Sequence, residues 1–529
     1  MVFPSRGCQT CKKRRVKCDA IHPNCGQCRV KARACTWDPN DQAGLHFKSE
    51  NAYAQGQRRR PKKVKERPPE QMRLTTASLN PKTVSTALST PLDVQAFHYW
   101  MENFMFRLED LPGIGHEYGN YVLFNWVRAR PGSSLHVAFS ALSHAVFGRA
   151  RHENRALETA GKAQALSIVK TSKEMMEVKQ MSNERIDQLL VAIMLMGTYE
   201  NIMYGHETNH SDPMLSSGAD EVGSRFWKNV CHHKGAAGLL KVRREQGLPP
   251  NLPLDKVVRR QIIRVIILRG DPITEWLQNG DEYGEESPLL EFDTLMVRVA
   301  NLRAKVLSLG NVPPIHSCKA LIVPNEQCWE DVVAEAQRLD NALNLWSETL
   351  PEDWTYSTHP PPPITESPET DLLYNGPVHF FNTHAHAVVW LRFRAVRLIA
   401  NSIRKRGLSH LSPFHDHLIV SQQELCRKNI ESITNDICGS IPFFFNLPNM
   451  AGGTPGLRSI RMGKFIFNSE DEILPKMAIL LAWPLTVAVS TDGVPDPQKR
   501  WLRHRLKIVA RSLGDSILES VAERSEFRF

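Results

Sequence analysis

At 529 residues, 42% hydrophobic and 23% charged, the chain has ample apolar material for a core and exceeds the usual size of one compact domain. This excludes wholesale disorder and predicts one small and one large domain. The formal net charge of +10 sits at the start: residues 1–70 hold 17 of the 66 Lys and Arg but only 6 of the 56 Asp and Glu, leaving the rest near neutral. A short basic segment on a neutral body is the electrostatic footprint of a nucleic-acid-binding arm, because neutralising phosphates releases counterions.

The first residues, MVFPSRGC, carry no charged stretch leading into an apolar one, so no secretory signal is read and a reducing compartment is expected. Six of the eleven cysteines follow at once, as Cys8-x2-Cys11-x6-Cys18-x6-Cys25-x2-Cys28-x6-Cys35. The pattern is two copies of one C-x2-C-x6-C half. A C-x2-C turn lets two thiolates reach one metal from a tight loop, and the third cysteine of each half adds one more sulfur. Zinc takes four ligands in a tetrahedron, so two ions need eight places; six thiolates fill them if two sulfurs bridge. Such a cluster carries a charge of −2, which Lys12, Lys13, Arg14, Arg15 and Lys17 offset while keeping the thiolates ionised. A six-cysteine disulfide knot would require secretion and leave the basic run unexplained, and a single iron–sulfur cluster needs four ligands, not six.

Residues 6–37 resemble the fungal binuclear zinc-cluster family. The run Cys11, Lys12, Lys13, Arg14, Arg15, Val16, Lys17, Cys18, Asp19 is similar to that family's first helix, and Pro23 matches the proline that turns the chain between halves. The resemblance implies that Cys8 and Cys25 bridge two Zn2+ ions, one completed by Cys11 and Cys18, the other by Cys28 and Cys35. It also implies a nuclear, sequence-specific transcription regulator that reads CGG-type, GC-rich half-sites. Residues 10–18 contain no Gly or Pro and are expected to be helical, with zinc supplying most of the folding free energy. Arg14 and Arg15 are the candidates for bidentate contacts to guanine in the major groove, at places where the family commonly has lysine. Lys17 matches a phosphate contact, and Lys12, Lys13 and Arg33 are assigned to phosphate as well; Lys12 and Lys31 serve equally as solvated cations balancing the cluster.

Gln57–Arg67 holds seven basic residues and one Glu. Arg58, Arg59, Arg60, Lys62, Lys63 and Lys65 form two proline-separated blocks that read as a nuclear import signal or a further phosphate contact. Residues 38–90 are a polar, basic linker rich in Pro, Ser and Thr. No heptad repeat runs through residues 40–90, so any homodimer forms without a coiled coil there.

Residues 91–529 read as one all-α regulatory domain of a dozen or so helices, giving a fold class of small zinc module plus large helical domain. Apolar positions step by three or four in Ile186, Leu189, Leu190, Ile193; in Val389, Phe393, Val396, Ile403; and in Leu502, Leu506, Val509, Leu513, Ile517, Val521. Breaks are expected at 247–253, 360–363 and 452–456, and strand alternation is nearly absent. This body is similar to the family's regulatory domain, including Leu480–Leu485 and the helix beginning near Pro497, which implies control through an effector or through co-regulators and the transcription machinery. The apolar stretch Met477–Val489 is too short for a membrane span and holds Pro484.

No catalytic motif is present: H-E-x-x-H, G-x-S-x-G and G-x4-G-K-[ST] are all missing, so the chain is read as no enzyme. His384 and His386 lie two apart, which divides them between helix faces, and Cys231, His232 and His233 offer no metal face. Met194, Met196 and Met203 read as core filling, with an effector pocket as the alternative. The acidic stretch 281–293, with Leu289, Leu290 and Phe292 among its carboxylates, has the composition of an activation segment or of an ordinary exposed loop. A rival reading keeps the zinc module but makes it a non-specific nucleic-acid or protein tether.

Overall fold

A computed structural model describes residues 7–14, 16–37, 90–105, 119–177, 181–203, 221–310, 326–360, 373–374, 376–411, 417–445, 459–462, 465–468 and 473–524. The chain forms two compact units, Met1–Ala87 and Leu88–Phe529.

The first unit is built on two short helices, α1 (Gln9–Arg14) and α2 (Gly26–Val30). The helix expected over residues 10–18 is therefore shorter, and Lys17 lies beyond its end. A continuous helix would carry Cys18 about 10 Å along the axis from Cys11 and away from the other sulfurs. Instead Val16 N–H donates to the Cys11 carbonyl at 3.2 Å, across five residues, and the chain leaves the helix so that Cys18 returns to the cluster.

The described residues of the second unit are mostly helical, as its apolar periodicity predicts. Its helices are α3 (Leu92–Phe104), α4 (Gly119–Arg128), α5 (Ser134–Arg151), α6 (Asn154–Met176), α7 (Asn183–Met203), α8 (Glu221–Glu245), α9 (Leu252–Arg269), α10 (Glu275–Gln278), α11 (Leu289–Gly310), α12 (Glu326–Glu348), α13 (His384–His410), α14 (His417–Ser440), α15 (Pro475–Ser490), α16 (Asp496–Leu513) and α17 (Ser516–Arg524). Two of them are buried almost all round. Ile186 to Met196 of α7 packs among α5, α6 and α8, whereas α13 buries Ala385 to Leu408 among α11, α12, α14 and α15. The C-terminal helices join the two halves, since α15 also touches α3 and α17 touches α7. No described helix is long and apolar enough to cross a membrane.

Three details depart from the periodicity. The stripe from Leu502 to Val521 is split, because Gly514 takes the left-handed conformation (φ 67°) that ends α16, and the Asp515 carboxylate accepts the Leu518 N–H at 3.0 Å to start α17. The break at 247–253 is shorter than expected, since Pro253 sits in the first turn of α9. Two four-residue antiparallel ladders are present, β1 (Tyr356–His359) with β2 (Val378–Phe381) and β3 (Ser459–Met462) with β4 (Phe465–Asn468); β2 is buried on both faces, so it carries no alternation to detect. The breaks at 361–363 and 452–456 lie outside the described residues.

The acidic stretch 281–293 is not a free peptide. Glu285 is buried against Arg260, Asp293 accepts two hydrogen bonds from Arg259 at 2.8 Å each, and Tyr283 and Phe292 enter the core. Two of its carboxylates thus neutralise arginines of α9. Met194, Met196 and Met203 are all buried, and Met194 also lines a cavity.

Candidate metal centre and nucleic-acid interface

Each half of the N-terminal unit places its sulfurs the same way. Cys8 immediately precedes α1 and Cys11 lies within it; Cys25 caps α2 and Cys28 lies within that helix. Cys11 N–H donates to Cys8 Sγ and Cys28 N–H to Cys25 Sγ, both at 3.4 Å. Cys8 N–H donates to Cys18 Sγ at 3.4 Å, matched by Cys25 N–H to Cys35 Sγ at 3.3 Å. The duplication in the sequence is thus a duplication of hydrogen bonds, which orient the sulfurs.

The six sulfurs fall into two groups of four. Sγ atoms of Cys8, Cys11, Cys18 and Cys25 lie within 4.8 Å of one another, as do those of Cys8, Cys25, Cys28 and Cys35, so Cys8 and Cys25 are common to both. None is in a disulfide. Zinc at about 2.3 Å from each sulfur demands sulfur–sulfur edges near 3.8 Å. Cys8–Cys25 at 3.7 Å, Cys8–Cys28 at 3.7 Å and Cys11–Cys25 at 3.6 Å meet that demand; Cys11 and Cys28, which belong to different groups, stand 4.0 Å apart. The arrangement fits two zinc ions sharing two thiolates.

Electrostatics point the same way. Burial, and then the neighbouring sulfurs, push the thiols of Cys11 and Cys28 up, the latter to about 12. Burial acts upward on Cys8 and Cys25 too, but the N–H groups of Cys11 and Cys28 and the adjacent thiols outweigh it and hold both below the ordinary value. Six thiolates this close are mutually unfavourable without cations, and two dications reverse the balance.

The two halves are fastened by groups other than cysteine. Asp19 accepts the Gly26 N–H at 2.8 Å, and a Cβ at Gly26 would stand 2.5 Å from that carboxylate. Trp37 donates its indole N–H to the Pro23 carbonyl at 2.8 Å and stacks on His22 with ring centres 3.7 Å apart. Gln9 N–H donates to the Thr36 carbonyl and the Thr10 hydroxyl to the Ala34 carbonyl, both at 2.8 Å. Sequence reasoning missed Trp37 and the bond from Asp19 to Gly26. The only available signal was that Asp19 directly follows a ligand.

Of the residues assigned to DNA, Lys13, Arg14, Lys17 and Arg33 are exposed. Arg29, on α2, is exposed as well and was not assigned. The Lys12 side chain, Arg15, and the import residues Arg58 to Lys65 lie outside the described residues. His384, His386, Cys231, His232 and His233 form no metal-binding group among the described residues.

Residues 6–43 match the fungal Zn(2)-Cys(6) binuclear cluster domain. No curated protein and no solved structure matches the chain. Paired sulfur groups and domain match agree: the N-terminal segment is a fungal-type binuclear cluster domain, a DNA-binding module of transcription regulators, that binds two zinc ions.

Proposed function

We propose that this protein is a sequence-specific transcription regulator and that its cluster reads one CGG-type half-site. One zinc is held by Cys8, Cys11, Cys18 and Cys25 and the other by Cys8, Cys25, Cys28 and Cys35. The metals fold the unit; they take no part in contacting bases. Arg14 and Arg15 then reach guanine O6 and N7, where a bidentate arginine discriminates by about 1–3 kcal/mol. Lys12, Lys13, Lys17 and Arg33 hold the phosphates and set the register.

The observation that carries this reading is the exposure of Lys13, Arg14, Lys17 and Arg33 around a core of buried sulfurs. Cations spent only on balancing the cluster would need to lie against it. The import signal over Arg58 to Lys65 delivers the chain to the nucleus, and the helical unit controls transcription through co-regulators. Lacking a heptad repeat, a homodimer would form through the helical unit.

Selection from random double-stranded DNA by the zinc-loaded full-length chain, at near-physiological salt, tests the proposal. Enrichment of a motif containing CGG is expected. Binding that enriches no motif would instead make the cluster a non-specific tether.

A further inference from the structure

Helix α6 carries its apolar bulk on the outside. The stripe it buries is small or polar: Ala156, Ala160, Gln164, Ser167 and Thr171. That face packs closely on α5, where a Cβ on Gly148 would stand 2.7 Å from the Leu157 side chain and 3.1 Å from that of Ala156. The opposite face exposes Leu166 at 48%, Ile168 at 43%, Val169 at 66% and Met176 at 85%. A surface helix ordinarily shows the reverse distribution, so this face calls for a contact that a single chain does not make.

The pattern along the face is that of a helix–helix seam. Glu158, Lys162, Ala165, Val169, Ser172 and Met176 are all exposed and step alternately by four and three. Ala165 and Ser172 are small enough to let a second backbone come close. Charge decides what that second helix is. Glu158 and Lys173 are both exposed, and neither has an ion-pair partner among the described residues. Fifteen positions apart on one helix, they stand about 22 Å from each other and cannot meet within a chain. An antiparallel pair of α6 helices with its two-fold axis between Ala165 and Leu166 sets Glu158 of each copy against Lys173 of the other. The same register lays the stem of Lys162 along Val169 and that of Arg155 along Met176, covering apolar surface. Moving the axis by two residues would set Lys162 against Lys173 and Glu158 against Glu177, like against like, so charge selects one register.

We propose that α6 pairs with α6 of a second copy of this chain, antiparallel and in that register. The contact gives the proposed homodimer its surface; it rests on that part of the proposed function and is independent of the half-site. The helix has 23 residues and is about 34 Å long. A seam roughly 10 Å wide along it covers a few hundred Å² per copy, below the ~800 Å² of a standard interface. The dimer is therefore weak and reversible, with a dissociation constant on the order of 10–100 µM.

Sedimentation equilibrium of the zinc-loaded full-length protein, without DNA, tests this from about 1 to 200 µM. A reversible monomer–dimer equilibrium is expected. Val169→Glu should weaken it tenfold or more. Glu158→Lys and Lys173→Glu should each weaken it about fivefold, because each turns both symmetry-related pairs repulsive, and the double variant should return to within twofold of the parent. All three side chains are exposed, so every variant should melt as the parent does. A protein that stays monomeric throughout overturns the proposal and leaves the face to a different partner. A dimer indifferent to Val169→Glu places the contact elsewhere and overturns it too, as does a double variant no tighter than either single one. A failed half-site reading shows in site selection and leaves these measurements unchanged.

Discussion

The Asp19 carboxylate accepts the Gly26 backbone N–H at 2.8 Å, tying the residue after the third cysteine of one half to the first turn of the other half's helix. A charged acceptor on a helix-start N–H is worth about 1 kcal/mol at an exposed site. Asp19→Ala should therefore weaken zinc retention about fivefold, measured by chelator competition. Asp19→Asn should recover most of the loss, since its amide oxygen still accepts. Gly26→Val should be worse than Asp19→Ala, because its Cβ displaces the carboxylate and its branched side chain crowds the turn.

The two shared sulfurs make the cysteines unequal. Cys11→Ala leaves Cys8, Cys25, Cys28 and Cys35 as a complete group of four, so metal analysis should find close to one zinc per chain. Cys25→Ala removes a sulfur from both groups, and zinc should fall well below one. Equal losses in the two variants would contradict the bridging arrangement. Full chelation should abolish DNA binding yet retain most of the far-ultraviolet helical signal, which comes from the second unit.

Base and phosphate contacts separate by their salt dependence. Arg15→Ala should relax base preference at one position of the selected motif, at about 1–3 kcal/mol for the preferred base. Lys17→Ala should weaken all sequences alike and reduce the slope of log affinity against log salt by about 1. Identical behaviour of the two variants would refute this division of roles.

What the sequence made legible follows from how each feature is encoded. Metal ligation is written in residue type and spacing: six cysteines in two C-x2-C-x6-C halves imply two zinc ions sharing two sulfurs, while the choice of Cys8 and Cys25 as the shared pair came from the family resemblance. The helices of the second unit are written in period, and Ile186, Val389 and Leu502 all lie where their stripes put them. Features that depend on chain reversal were hidden: the end of α1 at Arg14, required by the return of Cys18, and the break at Gly514 within an uninterrupted apolar stripe. Charge partners were hidden too. Nothing local distinguishes Glu285 and Asp293, buried on arginines, from exposed acids such as Glu282 nearby.

That burial gives the acidic stretch a testable role. Arg259 is fully buried, and Asp293 is its bidentate partner. Removing one partner of a buried pair strands the other charge, at about 3–5 kcal/mol. Asp293→Ala should lower the denaturant midpoint of the helical unit by a corresponding amount. An activation segment predicts instead an unchanged midpoint and a loss of reporter output alone. Glu282→Gln, at a half-exposed pair with Arg244, should change stability by less than about 1 kcal/mol.

His379 supplies a pH dependence whose sign is fixed by its surroundings. Burial first, and the nearby Arg394 second, hold its imidazole down at about 3, against an ordinary value near 6.5. Between those values the unfolded chain binds a proton that the folded unit refuses, so this residue's contribution to stability is lost as pH falls through the window, by up to about 1.4 kcal/mol per pH unit. Asp255 acts oppositely: burial raises its carboxyl to about 6 despite Arg243, so the folded unit holds that proton more tightly and gains stability as pH falls below 6. His379→Gln removes the first effect and keeps the second. At pH 7.5 the variant should be less stable than the parent, having lost the side chain that reaches the Ser440 hydroxyl at 3.2 Å. Denaturant midpoints of the helical unit at pH 7.5, 6.5, 5.5 and 4.5 should then converge and cross as the parent alone suffers from acid. Parallel curves for parent and variant would show that His379 titrates normally and that its burial carries no penalty.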